Sequence, residues 1–334
     1  GVRFDNAVTP APITLPAHAS LLTGLAPPHH GLRYNAPFAS AQGITTLADD
    51  LRAAGYATAA VVASFVLDRR FGLARGFDDY DDRVVGQAVR GGYTLRNERD
   101  ADAVTDAALA WLAKRDRAKP LFLWAHYYDA HAPYAPRAAV AGDTRAQYAG
   151  EIAQVDAAIG RLLADGKFTP ERTLVVVAAD HGESLGDHGE RTHGLFLYDA
   201  TTRVPLILRL PERRLAGSVV AGLAGLVDMR GSVLSLLGLA APKGDGIDWL
   251  ATQRAPTDGI YQEASLPYFD YTFAPLYAWR GAAERFVEAP APEYYDLAAD
   301  PAEQHNRYAK PATDPRGDRA RARLDALRLD APTI

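Results

Sequence analysis

The chain contains no cysteine, which excludes disulfides, thiolate metal ligands and cysteine nucleophiles. It also lacks an apolar run long enough to span a bilayer. Its charge is not biased towards the basic side: 36 Lys and Arg stand against 41 Asp and Glu, a formal net charge of −5. That balance gives no electrostatic footprint for a nucleic-acid surface. Internal repeats and low-complexity tracts are missing as well. What remains, over 334 residues of which 48% are hydrophobic and 23% charged, is ordinary globular material with enough apolar residues for a large core. The absence of cysteine suits the cytoplasm and an extracytoplasmic compartment equally. The opening "GVRFDNAVTPAPIT" reads like the interior of a domain, as though a strand normally preceded it.

Hydrophobic periodicity divides the chain into alternating elements. "ITTLADDLRAAGY" (Ile44 to Tyr56), "DADAVTDAALAWLAKR" and "YAGEIAQVDAAIGRLLADG" have helical spacing, while "ATAAVVAS", "LFLWAH", "TLVVVAAD" and "VPLILRLP" are short, nearly continuous apolar runs. "VVAGLAGLVDMRGSVLSLLGL" reads as a strand followed by a helix. Continuous apolar strands alternating with helices predict an α/β fold, a mostly parallel sheet sandwiched by helices. From about Thr257 the texture becomes aromatic and turn-rich, which predicts a smaller antiparallel unit, and "GDRARARLDALRL" reads as a surface helix. The expected division is therefore a main domain over 1–256 and a small C-terminal subdomain over 257–334.

Eight of the nine histidines fall into three groups, each at a helix mouth or just after a strand. They are His18, His29 and His30; His126 and His131; and His181, His188 and His193. In α/β sheets, ligands gather beyond the carboxyl ends of strands, so three such groups point to one metal-dependent site. Asp180 and His181, adjacent where an apolar strand ends, offer a carboxylate oxygen and an imidazole nitrogen. That pair suits manganese or zinc rather than calcium, which prefers an all-oxygen shell. Thr14 opens the helix pattern "TLPAHASLLTG" and has two readings. It is an N-cap, or it is a hydroxyl aimed at an anion on the helix N-terminus and activated by a cation. His29, His30, His126 and His188 are read as supporting or structural.

These motifs carry a resemblance. "TLPAHASLLTGLAPPHHG" resembles the C/S-x-P-S-R-A-S-L-L-T-G signature of the sulfatase family of the alkaline phosphatase superfamily, and "ADHGESLGDHGERTHGLFLYDATTRVPLI" is similar to that family's second metal-ligand segment. "HYYDAHAPY", "YAGEIAQVDAAIGRLL" and "EYYDLAADPAEQHN" resemble its intervening and closing segments, in order, from Gly1 to about Tyr308. The resemblance puts Thr14 on the nucleophile position and His18 on that of the signature arginine. It implies a metal-dependent hydrolase or transferase of sulfuric or phosphoric esters, acting on a small anionic ester.

The departures sharpen that expectation. Threonine cannot give the formylglycine aldehyde of sulfatases and is instead the nucleophile of phosphodiesterases and phosphotransferases of the superfamily. Ser64 and Val66 stand where arylsulfatases carry Lys and His, and His193 where a Lys is expected. The expected site is then Thr14, His131 and His193 in catalysis, Asp180, His181 and Thr14 at the metal, and His18, Arg33, Asn35 and Asp129 against the substrate. Segments between Tyr268 and Tyr277 are expected to shape the pocket for the substrate's organic half. The alternative is a degenerate sulfatase-like domain that binds an anion or a partner without catalysis.

Overall fold

The computed structural model describes residues 1–35, 43–84, 98–136, 140–249, 254–255, 258–308 and 315–329. In chain order its elements are β1 (Val2–Val8), α1 (Thr14–Thr23), α2 (Pro27–His30), α3 (Leu47–Ala53), β2 (Ala57–Val61), β3 (Asp79–Asp81), α4 (Ala101–Lys114), β4 (Leu121–Ala125), α5 (Thr144–Asp165) and β5 (Val175–Ala178). There follow α6 (Asp199–Thr202), β6 (Leu206–Arg209), β7 (Val219–Gly225), α7 (Met229–Leu236), β8 (Ile260–Ala264), α8 (Leu266–Tyr271), β9 (Leu276–Arg280), β10 (Glu284–Glu288), β11 (Glu293–Asp296) and α9 (Pro315–Leu329). The fold is mixed α/β with a separate antiparallel sheet near the C-terminus. The chain forms two compact units, one of Gly1–Ile44 with Thr173–Ile334 and the other of Thr45–Arg172. The domain boundary expected at 256/257 lies outside the described residues.

The unit of Thr45–Arg172 shows most directly how pattern becomes layer. Its sheet, ordered β3-β2-β4, is wholly parallel. Side chains alternate across a strand. Ala60 therefore faces one way, with Ala48 of α3, Phe77, Phe122 and Trp124. Val61 faces the other, with Val104, Ala108 and Leu112 of α4 and Leu162 of α5. The three α4 residues recur every fourth position, one stripe of the helix. Side-chain acceptors fix where the helices start. Thr46 and Asp49 form a capping box on α3, Asp100 accepts from Ala103 N at 2.8 Å, and Asp143 accepts from Ala146 N at 3.1 Å.

The other unit mixes strand directions more than the mostly parallel expectation. Its first sheet is ordered β5-β6-β1-β7, and only the β1–β7 pair is parallel; β6 runs antiparallel to both β1 and β5. Nor is β6 covered on both faces, because Leu206 and Leu208 are buried while Ile207 is 42% exposed. The second sheet, β11-β10-β9-β8, is antiparallel throughout. Trp279, Phe286 and Tyr294 of this sheet pack with Ala320 and Leu324 of α9, so the terminal helix buries one side. Buried Arg285 bridges Asp199 at the start of α6 and Glu303 beyond β11, both at 2.6 Å. That network ties the second sheet to the segment between β5 and β6.

Candidate active site

α1 begins at Thr14, and the residue at its N-cap is Ile13, which has no side chain able to cap. Thr14 is thus the first helical residue and does not cap the helix. The neighbouring amide, Leu15 N, is satisfied from outside the helix by Asn35 Oδ1 at 2.8 Å. Ala17 N bonds to Ile13 O at 3.2 Å, and Pro16 has no N–H to offer. Thr14 is 2% exposed, and its hydroxyl lies 3.4 Å from His181 Nε2.

Asp180 and His181 stand just past the end of β5. His181 Nδ1 lies 2.9 Å from Gly182 O, so the ring donates there and Nε2 keeps its lone pair. That nitrogen is 3.5 Å from Asp180 Oδ2. A lone pair facing a carboxylate calls for a proton or a cation between them. Two donors each about 2.1 Å from a tetrahedral ion lie roughly 3.4 Å apart, so Thr14 Oγ1 and Asp180 Oδ2 each stand at a spacing from His181 Nε2 that fits two ligands of one ion. His18 is seated over this group: its Nδ1–H donates to Thr14 O at 2.9 Å and lies 3.5 Å from Asp180 Oδ2. It therefore lies beside the carboxylate while its Nδ1–H stays on the Thr14 carbonyl.

Gly182 follows from crowding. A Cβ there would lie 2.4 Å from Ala200 O, and Gly182 N donates to Thr201 O at 2.7 Å. The backbone after His181 is thus held against α6, which turns the next side chain back toward the site. That side chain is Glu183, which the sequence reasoning missed. His193 Nδ1–H donates to Glu183 Oε1, and the His193 and His181 rings lie 4.0 Å apart. One donor atom from each of His181, Glu183 and His193 lies within 4.8 Å of the others. Burial pulls the His193 pKa down, helped by His181 and opposed by the Glu183 carboxylate. The available signal was position alone: Glu183 sits two residues after His181 in "DHGES".

The other expected residues divide. Arg33 pairs with Glu263, Nη2 to Oε2 at 2.6 Å, so its charge is neutralised where it stands. Asn35 holds Leu15 N as described. His29 bonds Asp245 at 2.7 Å, and His188 stacks on Tyr198 with ring centroids 3.7 Å apart. His131 and Asp129 belong to the second unit. There, His131 stacks on Tyr128 and its Nδ1 lies 2.7 Å from Ala132 O. Asp129 Oδ1 accepts from Ala101 N at 3.0 Å and from Gln154 Nε2, anchoring the start of α4 to α5. His126 Nδ1 accepts from Ala63 N at 3.2 Å.

The family model described as Sulfatase matches residues 1–239. Steryl-sulfatase of Mus musculus is 28% identical over 297 residues, covering 74% of this chain and 46% of its own length. The chain spans a smaller share still of several other curated relatives. Among solved structures, one in complex with its substrate D-glucosamine-2-N,6-O-disulfate superposes with a TM-score of 0.79 at 20% identity, covering 98% of this chain and 90% of that one. A phosphonate monoester hydrolase from Silicibacter pomeroyi superposes with a TM-score of 0.70 at 20% identity, covering 98% and 87%. Likeness at that identity speaks for the fold.

Proposed function

The chain belongs to the sulfatase family, and from that premise we propose that it is a metal-dependent hydrolase of sulfuric or phosphoric esters, with Thr14 as nucleophile and a preference for phosphate mono- and diesters. The observation that carries this reading is the Thr14 hydroxyl, 3.4 Å from His181 Nε2 at the first residue of α1. Asp180, His181 and Thr14 would hold the ion, and the nitrogen donor favours manganese or zinc over calcium. When bound, such an ion supplies positive charge that acidifies a hydroxyl and neutralises an anionic ester.

The chain's own residues then do the following. Thr14 gives up its hydroxyl proton to solvent, and its oxygen forms a bond to the central phosphorus or sulfur as the bond to the leaving oxygen breaks in line. The leaving alkoxide takes a proton from solvent, and His193 is the proposed relay: its Nδ1–H stays on Glu183 while Nε2 picks up the proton from water and passes it on. Water then cleaves the threonyl ester and restores the hydroxyl. Of the α1 amides after Thr14, Leu15 N and Ala17 N are already bonded and Pro16 has none, so side chains share in holding the anion. His131, Arg33, Asn35 and Asp129 remain proposed contributors to catalysis or substrate contact, and of these Asn35 has the most direct link, through Leu15. The phosphate preference rests on the side chain: threonine cannot be converted to formylglycine.

The test is turnover of nitrophenyl phosphate, bis-nitrophenyl phosphate and nitrophenyl sulfate with added manganese or zinc. Phosphate esters are expected to lead in kcat/KM by about tenfold or more, and Thr14→Ala to lose about a thousandfold while Thr14→Ser keeps turnover. A preference for sulfate overturns the substrate assignment. Undiminished turnover by Thr14→Ala overturns the nucleophile.

A further inference from the structure

Gly194, next to His193, is packed so tightly that a Cβ there would lie 2.8 Å from Leu266 Cδ1 and 3.0 Å from Ile13 Cγ2. Leu266 opens α8, and Ile13 precedes Thr14, so α8 starts in contact with the neighbours of both reactive residues. From that start, α8 and the turn after it carry large rings into solvent. Tyr268 is 54% exposed, Tyr271 52% and Phe273 66%. The rings are not scattered. Phe269 lies 5.0 Å from Tyr34 and 5.2 Å from Tyr268, and Tyr271 stacks on Phe273 at 5.9 Å. Tyr34 is in turn the neighbour of Asn35, whose side chain holds Leu15 N beside Thr14. Clustered exposed apolar surface of this kind marks a binding surface.

We propose that these five rings form the seat for the organic half of the ester, and that this half is a flat, uncharged aromatic group. The proposal rests on the reading of Thr14 and His193 as reactive residues and names the substrate class that reading leaves open. Several polar groups beside the rings are already engaged. Tyr34 Oη donates to Asp270, Thr272 Oγ1 donates to Tyr271 O at 2.6 Å, and Arg33 is neutralised by Glu263. The surface thus presents mainly ring faces, edged by the exposed Tyr268 and Tyr271 hydroxyls, and faces of this kind suit stacking against an aromatic plane. Asp270 beside the rings disfavours a second anionic group on the organic half, and no unneutralised Arg33 charge attracts one.

The experiment compares kcat/KM for 2-naphthyl and phenyl esters of whichever acid, phosphoric or sulfuric, the full chain turns over, with the matching glucose 6-ester as a third substrate. The wild-type preference for naphthyl over phenyl is expected to fall roughly three- to tenfold in Tyr271→Ala/Phe273→Ala. Leu327→Ala, an exposed apolar position on α9, controls for a nonspecific effect and keeps the wild-type ratio. An unchanged ratio in the double variant overturns the proposal, as does an equal or larger loss on the glucose ester. If wild type turns over none of these esters, the reaction reading fails separately. The seat is then judged by titrating 2-naphthylphosphonate alone: weaker binding to the double variant supports it, and equal affinity overturns it.

Discussion

The two ends of α1 treat histidine in opposite ways. Near its C-terminal half, His30 is sealed: Leu32 N donates to its Nδ1 at 3.1 Å, its Nε2–H bonds Ser20 Oγ at 3.0 Å, and no part of it reaches solvent. Burial drives its pKa down to about 3, with the neighbouring His29 and Arg33 charges adding to the effect against a backbone hydrogen bond. At the N-terminal end, His18, His181 and His193 each place a nitrogen on a carbonyl or carboxylate; His18 and His181 gather around Asp180 and Thr14, and His193 lies against the His181 ring. Both ends are rich in histidine, yet only one assembles donors that call for a cation. The difference lies in what backbone groups are nearby: where amide and hydroxyl saturate both ring nitrogens, a histidine is neutral structural filling.

The largest expected effect separates these ends. Asp180→Asn keeps the shape and removes the charge, and should lower turnover by about a thousandfold and abolish tight binding of added manganese or zinc. Calorimetry of the metal-free variant should show an almost unchanged Tm. A variant that binds metal as the wild type does would make the N-terminal cluster as structural as His30. The opposite pattern is expected for His30→Ala, which removes a fully bonded buried ring and should cost about 2–4 kcal/mol in urea unfolding. Metal affinity at the other end should be retained by whatever fraction remains folded.

A pH series sharpens the same contrast. The folded pKa of His30 is depressed, so the unfolded chain binds the extra proton. Its contribution is fully present above about 6.5 and declines as pH falls toward about 3. Wild type should lose up to about 1.4 kcal/mol per pH unit across that window relative to His30→Asn, which has no such proton to bind. Parallel curves for the two proteins would show that His30 is not buried neutral. The smallest effect is expected at Asn35→Ala, which strips the acceptor from Leu15 N and should cost about 1 kcal/mol. Since that amide adjoins Thr14, a fall in kcat should accompany it, and a stability loss without any kinetic change would detach Asn35 from the site.

Legibility in the sequence followed locality. α3, α4 and α5 carry their own periodicity and caps, so each could be recognised from a single window, and β2 and β4 likewise by their apolar runs. The direction of β6 could not, because "LILR" reads the same whichever way its neighbours run; pairing is decided by partners far away. β1 was hidden for another reason. Val2 and Phe4 alternate properly, but the register shifts between Phe4 and Asn6, so Ala7 and Val8 are both buried and the period of two is broken. At the site, Asp180 and His181 were visible as polar residues ending an apolar strand. Glu183 was not, since only the turn forced by Gly182 against Ala200 brings it back to His193. His18 was visible as a histidine, but its place on Asp180 depends on a contact across the fold.

The strand β1 has a further consequence, for synthesis on the ribosome. Val2 pairs with Leu208 and Arg3 with Val219, so β1 emerges on the order of ten to forty seconds before its partners at ordinary translation rates. Throughout that interval Phe4, Ala7 and Val8 have no native partner strand, and the stretch Thr45–Arg172 is completed before those partners emerge and can collapse on its own parallel sheet first. Closing so long a loop is entropically costly and slow. The nascent chain is therefore expected to depend on holding factors that shield β1, and its yield to fall steeply when translation outpaces them.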